Sequence, residues 1–148
     1  MGRKLSEEEK RATDTVRRRM KESKATELLG FDVESVHKGR AIFRLDVRPI
    51  HKQIHGVVHG GILAALADTT AAIAAYSVIP RGVEIATLEL KINYLEGVPG
   101  GRVKADARVL RAGRNFIVTE CEIFNESGSL VAKALLTFSA APGHSLRE

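Results

Sequence analysis

The sequence predicts an α+β domain in which an antiparallel sheet curls about one long apolar helix. Three observations carry that prediction. From Gln53 to Pro80 the only Asp, Glu, Lys or Arg is Asp68, so a long helix there would be apolar on nearly every side. Such a helix must be covered nearly all round. Downstream, from Glu84 to Ala140, four segments alternate apolar and polar side chains and are joined mostly by hairpin turns, the pattern of an antiparallel sheet.

The elements follow in order. Ser6 followed by Glu7-Glu8-Glu9 is a helix start: a capping residue, then acids that suit the positive end of the helix dipole. The spacing predicts one helix running to about Leu29, with Gly30 as its stop. Leu5, Ala12, Val16, Met20 and Leu28 make only a thin apolar stripe, which fits a peripheral helix lying on the domain. Arg17-Arg18-Arg19 raises the alternative of an arm that binds a partner or an anionic surface.

Phe31–Val36 reads as a strand, Lys38-Gly39 as a turn and Ala41–Val47 as a second strand. Residues 49–58 form a loop carrying His51, Gln53 and His55, and a helix from about His59 to Ile79 is stopped by Pro80. In the strand from Glu84 to Leu95, Ala86, Leu88, Leu90, Ile92 and Tyr94 share one face, and Thr87, Glu89, Lys91 and Asn93 the other. Arg102–Arg111 buries Val103, Ala105, Ala107 and Val109. A hairpin turn at Ala112-Gly113-Arg114 leads to a strand over 115–124, a turn at Asn125–Gly128, and a last strand from Leu130 to Ala140. The organisation is an arm over 1–29, a domain over 30–141 and a flexible tail over 142–148.

Composition narrows the function classes. A chain of 148 residues with a 44% hydrophobic and 28% charged make-up is that of a soluble globular domain. The net charge of +5 argues weakly for nucleic acid, because its distribution is uneven. Residues 1–24 hold nine basic and five acidic side chains, and the rest of the chain is close to neutral. One cysteine excludes an intramolecular disulfide framework, and no signal peptide is visible, which together fit a cytoplasmic protein. A membrane span over the long helix is rejected, since the run is rich in Ala and Gly and carries a mid-helix Asp.

Asp68 is the centre of the candidate site. On a helical wheel Gly61, Ala64, Ala65, Ala71, Ala72 and Ala75 share its face, while Ile62, Leu66, Ile73 and Tyr76 lie on the other. A small-residue face admits a second backbone or a ligand close to the carboxylate. Asp68 then has two readings, a structural acid paired with a cation or a functional carboxylate in a cleft. His59-Gly60-Gly61 at the helix start adds backbone N–H groups without intrahelical partners, suited to stabilising a developing oxyanion.

These residues resemble a known family. His55-Gly56-Val57-Val58-His59-Gly60-Gly61, followed by Leu66-Ala67-Asp68-Thr69, resembles the signature of the PaaI-like acyl-CoA thioesterases of the hotdog-fold superfamily, over about residues 28–141. The resemblance implies a hotdog fold, a homodimer with a continuous sheet that assembles to a homotetramer, and active sites built from two chains. It implies hydrolysis of an acyl-CoA substrate to free acid and coenzyme A, with no cofactor. Carried over by position, Asp68 matches the carboxylate that serves as nucleophile or general base. Gly60 matches the glycine whose N–H polarises the thioester carbonyl, and His59 the histidine beside it. Gln53 falls where many relatives carry Asn and where relatives acting on aromatic and dihydroxynaphthoyl thioesters carry Gln. Thr87 falls where some members place a water-holding Ser or Thr. Asp68 itself stands where other branches use Glu.

Other patterns carry less. Gly61 joins the list as a candidate substrate contact, and Arg114, at its hairpin, as a candidate for the coenzyme A phosphates, with an ordinary turn residue as its alternative. Lys91 and Arg111 are similar candidates. His51, His55 and His59 recur every four residues, but Pro49, Gly56 and the glycine pair break any helix through all three, so no metal site is expected. Cys121 shares a strand face with Ile117, Thr119 and Ile123 and reads as a core thiol. No GxSxG elbow or phosphate-binding loop appears. Two other functions compete. A hotdog hydratase lacks its HxxxxPG-type loop here. A non-catalytic acyl-CoA-binding protein would use the basic arm for a partner or nucleic acid and would gain little from Asp68 and Gln53.

Overall fold

The computed structural model describes residues 3–142. Of the tail expected over 142–148, only Pro142 falls within them, as the last residue of a strand; 143–148 lie outside. The chain runs α1 (Glu7–Met20), α2 (Lys24–Leu29), β1 (Asp32–His37), β2 (Arg40–Asp46), a short 3-10 turn (Pro49–His51), α3 (Gly60–Tyr76), β3 (Val83–Tyr94), β4 (Arg102–Ala112), β5 (Phe116–Phe124) and β6 (Leu130–Pro142). The six strands form one sheet of order β1-β2-β4-β5-β6-β3, antiparallel at every pairing. It is the hotdog fold expected, with α3 against the inner face of the sheet and in contact with β2, β4 and β5.

The core lies between α3 and the sheet. Phe43, Leu45, Leu66, Ile117, Ile123, Leu136 and Phe138 are fully buried there. Each large side chain contributes on the order of 1.5–3 kcal/mol on leaving water. Cys121 joins them, and burial pushes its thiol up to about 12, so it is an inert core group as expected.

Three local expectations need correction. The N-terminal segment is two helices rather than one. The Ser6 capping box starts α1, and the Ser23 hydroxyl accepts from the Thr26 N–H to start α2, so a second capping serine interrupts what the apolar stripe alone ran together. The helix α3 ends at Tyr76, ahead of Ile79: the Ser77 hydroxyl donates to the Ala74 carbonyl and accepts from the Gly39 N–H, so the turn between β1 and β2 terminates it. The expected split of α3 into a bulky core face and a small face also fails. Its buried stripe is Leu63, Leu66, Ala67, Thr70, Ala71, Ala74 and Ala75, whereas Ile62 and Ile73 are half-buried and Tyr76 is exposed. Five of these seven are Ala or Thr, so the face toward the sheet is mostly small.

The two sheet edges differ. On β1, α1 covers the outer rim: the Thr13 hydroxyl accepts from the Val36 N–H at 2.9 Å, and Arg17 donates to the Val33 carbonyl at 3.2 Å. Glu9, which also closes the Ser6 capping box, bonds His37 at 2.8 Å. The arm therefore satisfies edge groups that would otherwise be open to pairing. The other edge, β3, is covered by no element among the described residues and exposes Leu88 and Tyr94. Among the described residues no helix is long and apolar enough to cross a membrane.

Candidate active site

Asp68 sits on the flank of α3, half-buried beside the buried stripe, on the side of β3. It is not the deeply buried acid that its apolar surroundings in sequence imply. The Thr87 hydroxyl of β3 donates to Asp68 Oδ1 at 2.7 Å. No cation pairs with Asp68 among the described residues, so the structural reading as an ion-paired acid finds no partner. Among the described residues no group donates to the Asp68 Oδ2 oxygen.

A bulge in β3 makes the Thr87 contact. Thr87 pairs with Phe138 and Glu89 with Thr137, which leaves Leu88 as an extra residue. The bulge reverses the alternation, so Ile85 and Thr87 before it share the inner face with Leu90 and Ile92 after it. The strict alternation expected from sequence put Thr87 on the opposite face from Leu90 and Ile92; that placement is corrected here.

The start of α3 is equally specific. The His59 Nδ1 accepts from the Gly61 N–H at 2.8 Å and caps the helix. A backbone N–H is always a donor, so the neutral ring carries its proton on Nε2, directed away from the helix. His59 itself is exposed. The Ile62 N–H bonds the His59 carbonyl, while the Gly60 N–H has no acceptor among the described residues. Of the two glycines, Gly60 thus keeps the free donor, and the Gly61 donor is spent on the cap.

A side chain on either glycine would crowd a neighbour. A Cβ on Gly61 would stand 3.0 Å from His59 Nδ1, and one on Gly60 would stand 2.9 Å from the Tyr94 ring. Tyr94 lies across the helix start and donates its hydroxyl to the Gly60 carbonyl at 2.7 Å. Burial raises its phenol above the usual range, even though half of the residue is exposed. The sequence reading placed Tyr94 on a strand face and missed this contact; an aromatic with a polar tip at the end of an alternating face was the available signal.

Gln53 lies in the loop before α3. Its N–H bonds the Val57 carbonyl, the Gly56 N–H bonds its own carbonyl, and Lys52 bridges Val58, so residues 52–58 form a tight protruding turn. The Gln53 side-chain oxygen accepts from the His55 N–H, and its NH2 group has no acceptor among the described residues. Ile54 at the tip is 95% exposed.

The structure brings together Asp68 with Thr87, and His59 with Gly60, Gly61 and Tyr94. It separates the two groups along one helix: Gly60 and Asp68 are eight residues apart, about 12 Å. Arg114 lies in the β4–β5 turn, exposed, and contacts none of these residues. The three loop histidines diverge: His51 is fully buried, whereas His55 and His59 are exposed. Among the described residues no three His, Cys, Asp or Glu side chains converge as a metal site.

Comparison with known proteins gives the family. The thioesterase superfamily model matches residues 55–132, which span the cap, α3 and strands β3 to β5. A 1,4-dihydroxy-2-naphthoyl-CoA hydrolase of Listeria monocytogenes is 31% identical over 76% of this chain and 92% of its own length. A conserved protein of Pseudomonas aeruginosa, of known structure, is 39% identical over 84% of this chain and 98% of its own, with a TM-score of 0.79. The Escherichia coli PaaI protein from the phenylacetic acid degradation operon superposes with a TM-score of 0.80 at 27% identity, covering 90% of this chain and 96% of its own. With that match over more than half its length, carried by the segment that holds His59, Gly60 and Asp68, this chain belongs to the hotdog-fold thioesterase superfamily.

Proposed function

We propose that this protein hydrolyses acyl-CoA thioesters to the free acid and coenzyme A, at sites shared between two subunits. The observation that carries the reading is the pairing of a free Gly60 N–H at a helix start with an Asp68 carboxylate supported by Thr87. A thioester carbonyl is a good electrophile, and its hydrolysis needs an oxyanion donor and a carboxylate rather than a metal. The Gly60 N–H polarises the carbonyl oxygen, helped by the positive end of α3. His59 Nε2–H and the Gln53 NH2 group hold the thioester end, and Gly61 keeps the helix start open to close approach. The Asp68 Oδ2 oxygen either attacks the carbonyl carbon or takes a proton from water as it attacks, and the Thr87 hydroxyl orients the carboxylate. In the first course an acyl-aspartyl anhydride forms and water then opens it. In both, the coenzyme A thiolate leaves and takes up a proton.

A separation of about 12 Å between Gly60 and Asp68 is too wide for both to meet one carbonyl group. Asp68 therefore works with Gly60, His59 and Gln53 of a second copy. The uncovered β3 edge and the exposed Ile54 supply surface for that copy. Two such dimers form the homotetramer, and Arg114 is the candidate contact for the coenzyme A phosphates.

Thiol release from a panel of aryl-, short-chain and long-chain acyl-CoAs tests the activity. Asp68→Asn lowers kcat by about a hundredfold or more. Wild-type protein that releases no thiol from any of them refutes the reading. Co-assembly of Asp68→Asn with His59→Ala chains tests the shared site. A hybrid dimer holds one intact site, so random assembly returns about a quarter of wild-type activity. No return refutes the two-subunit site.

A further inference from the structure

His51 has no exposed surface, yet the proposed chemistry does not use its ring. Its contacts run in two directions. The Nε2 atom meets the Leu29 carbonyl at 2.7 Å, and Nδ1 accepts from the Arg48 N–H at 2.9 Å. A carbonyl only accepts and a backbone N–H only donates, so the ring is neutral with its proton on Nε2. The His51 carbonyl in turn accepts from the His59 N–H at 2.7 Å. Beside it, the Arg48 guanidinium donates to the Leu28 carbonyl at 2.9 Å.

These bonds form one path. It starts at the last carbonyls of α2, passes through the His51 ring to the His51 backbone, and ends at His59, the residue that caps α3. The next N–H along the chain is that of Gly60. Gln53, two residues after His51, hangs from the same segment. The arm thus does more than cover the sheet edge: its second helix is the fixed point from which the start of α3 is held.

We infer that His51 is a positioning residue for the proposed hydrolysis, anchoring the His59 cap and the Gly60 donor to the arm through Leu29. The inference rests on the thioesterase reading. A buried residue that serves only stability would, when replaced, lower the folded fraction and leave the turnover of each folded subunit unchanged. A positioning residue changes turnover itself, because an ångström of misplacement in an oxyanion donor costs up to about a hundredfold in rate.

The experiment measures kcat and KM of full-length wild type, His51→Leu, His51→Gln and His51→Asn with an acyl-CoA that wild type hydrolyses, each normalised to folded protein. His51→Leu removes both ring contacts. The Gln amide N–H reaches toward Leu29 as Nε2–H does, and the shorter Asn keeps only the Arg48 side. The expected result is a kcat about tenfold or more below wild type for Leu and Asn, with KM within about threefold, and recovery of most of kcat by Gln. A folded His51→Leu with kcat within twofold of wild type overturns the inference. Should His51→Leu not fold, the Asn and Gln variants decide: equal kcat in both overturns it, and a deficit confined to Asn supports it. An inactive wild type overturns the thioesterase reading and this role together, whereas an active wild type with unaffected variants overturns the role alone.

Discussion

Replacing Gly60 by alanine probes the contact that seats Tyr94 on the helix start. An added Cβ would stand 2.9 Å from Tyr94 Cζ, 3.1 Å from its hydroxyl and 3.2 Å from Cε1. The ring is half exposed and can swing toward solvent, so strain stays near the low end for overpacking, about 1 kcal/mol. Its displacement also breaks the hydrogen bond to the Gly60 carbonyl, a further loss of about 1 kcal/mol. Alanine returns up to about 1 kcal/mol through its better helix propensity. The balance is a net destabilisation of about 1 kcal/mol. In a Tyr94→Ala background the clash and the bond are both absent, so Gly60→Ala becomes stabilising by up to about 1 kcal/mol. The coupling energy in the double-mutant cycle is then about 2 kcal/mol. Urea denaturation of the four proteins at one fixed protein concentration measures it. A coupling below about 0.5 kcal/mol would show that Tyr94 does not determine the glycine and would refute the reasoning.

Further consequences can be measured directly. Thr87→Val removes the donor to Asp68 Oδ1 and lowers kcat about tenfold, while Thr87→Ser keeps the hydroxyl and stays near wild type in the thiol-release assay. Arg40→Met leaves the Asp106 carboxylate, which is 8% exposed, without its two bonds from Arg40, and costs about 1–3 kcal/mol in chemical denaturation. Equal stability of that variant and wild type would contradict the pairing. The His37 hydrogen bond, foremost, and the Ser6 N–H hold the Glu9 carboxyl down to about 2 in the folded protein, against an ordinary value of 4.5. A depressed folded-state value stabilises above the unfolded value and is lost as the pH falls through the folded one. The melting-temperature gap between wild type and Glu9→Gln is therefore widest above pH 4.5 and closes as the pH falls toward 2. A gap that does not change over that range refutes the assignment.

Much of the architecture was legible because it rests on local chemistry. The alternation of β4 marks its buried Val103, Ala105 and Ala107, and the turn residues Gly39, Gly113 and Gly128 fall where strands reverse. The single charge in α3 and the glycine pair at its start mark Asp68, His59 and Gly60 as candidates from the sequence alone. Ser23, by contrast, looked like one polar residue within a helix. Whether a serine caps a new helix or sits inside an old one depends on where the chain turns next, and here α1, packed along β1, ends at Met20.

The acid that first drew notice changed in character. Sequence determined that Asp68 is isolated on an apolar helix, because charge and period are properties of the chain itself. Only the tertiary structure decided its partner. The bulge at Leu88 turns Thr87 inward, and a bulge leaves no mark in a run of alternating residues until two strands are paired. The same holds for Tyr94 over Gly60 and for His51 between α2 and the cap of α3: each joins segments distant in sequence. Periodicity fixes which way a side chain faces only within an unbroken run, and pairing and packing between elements determine where a run breaks and what each side chain meets.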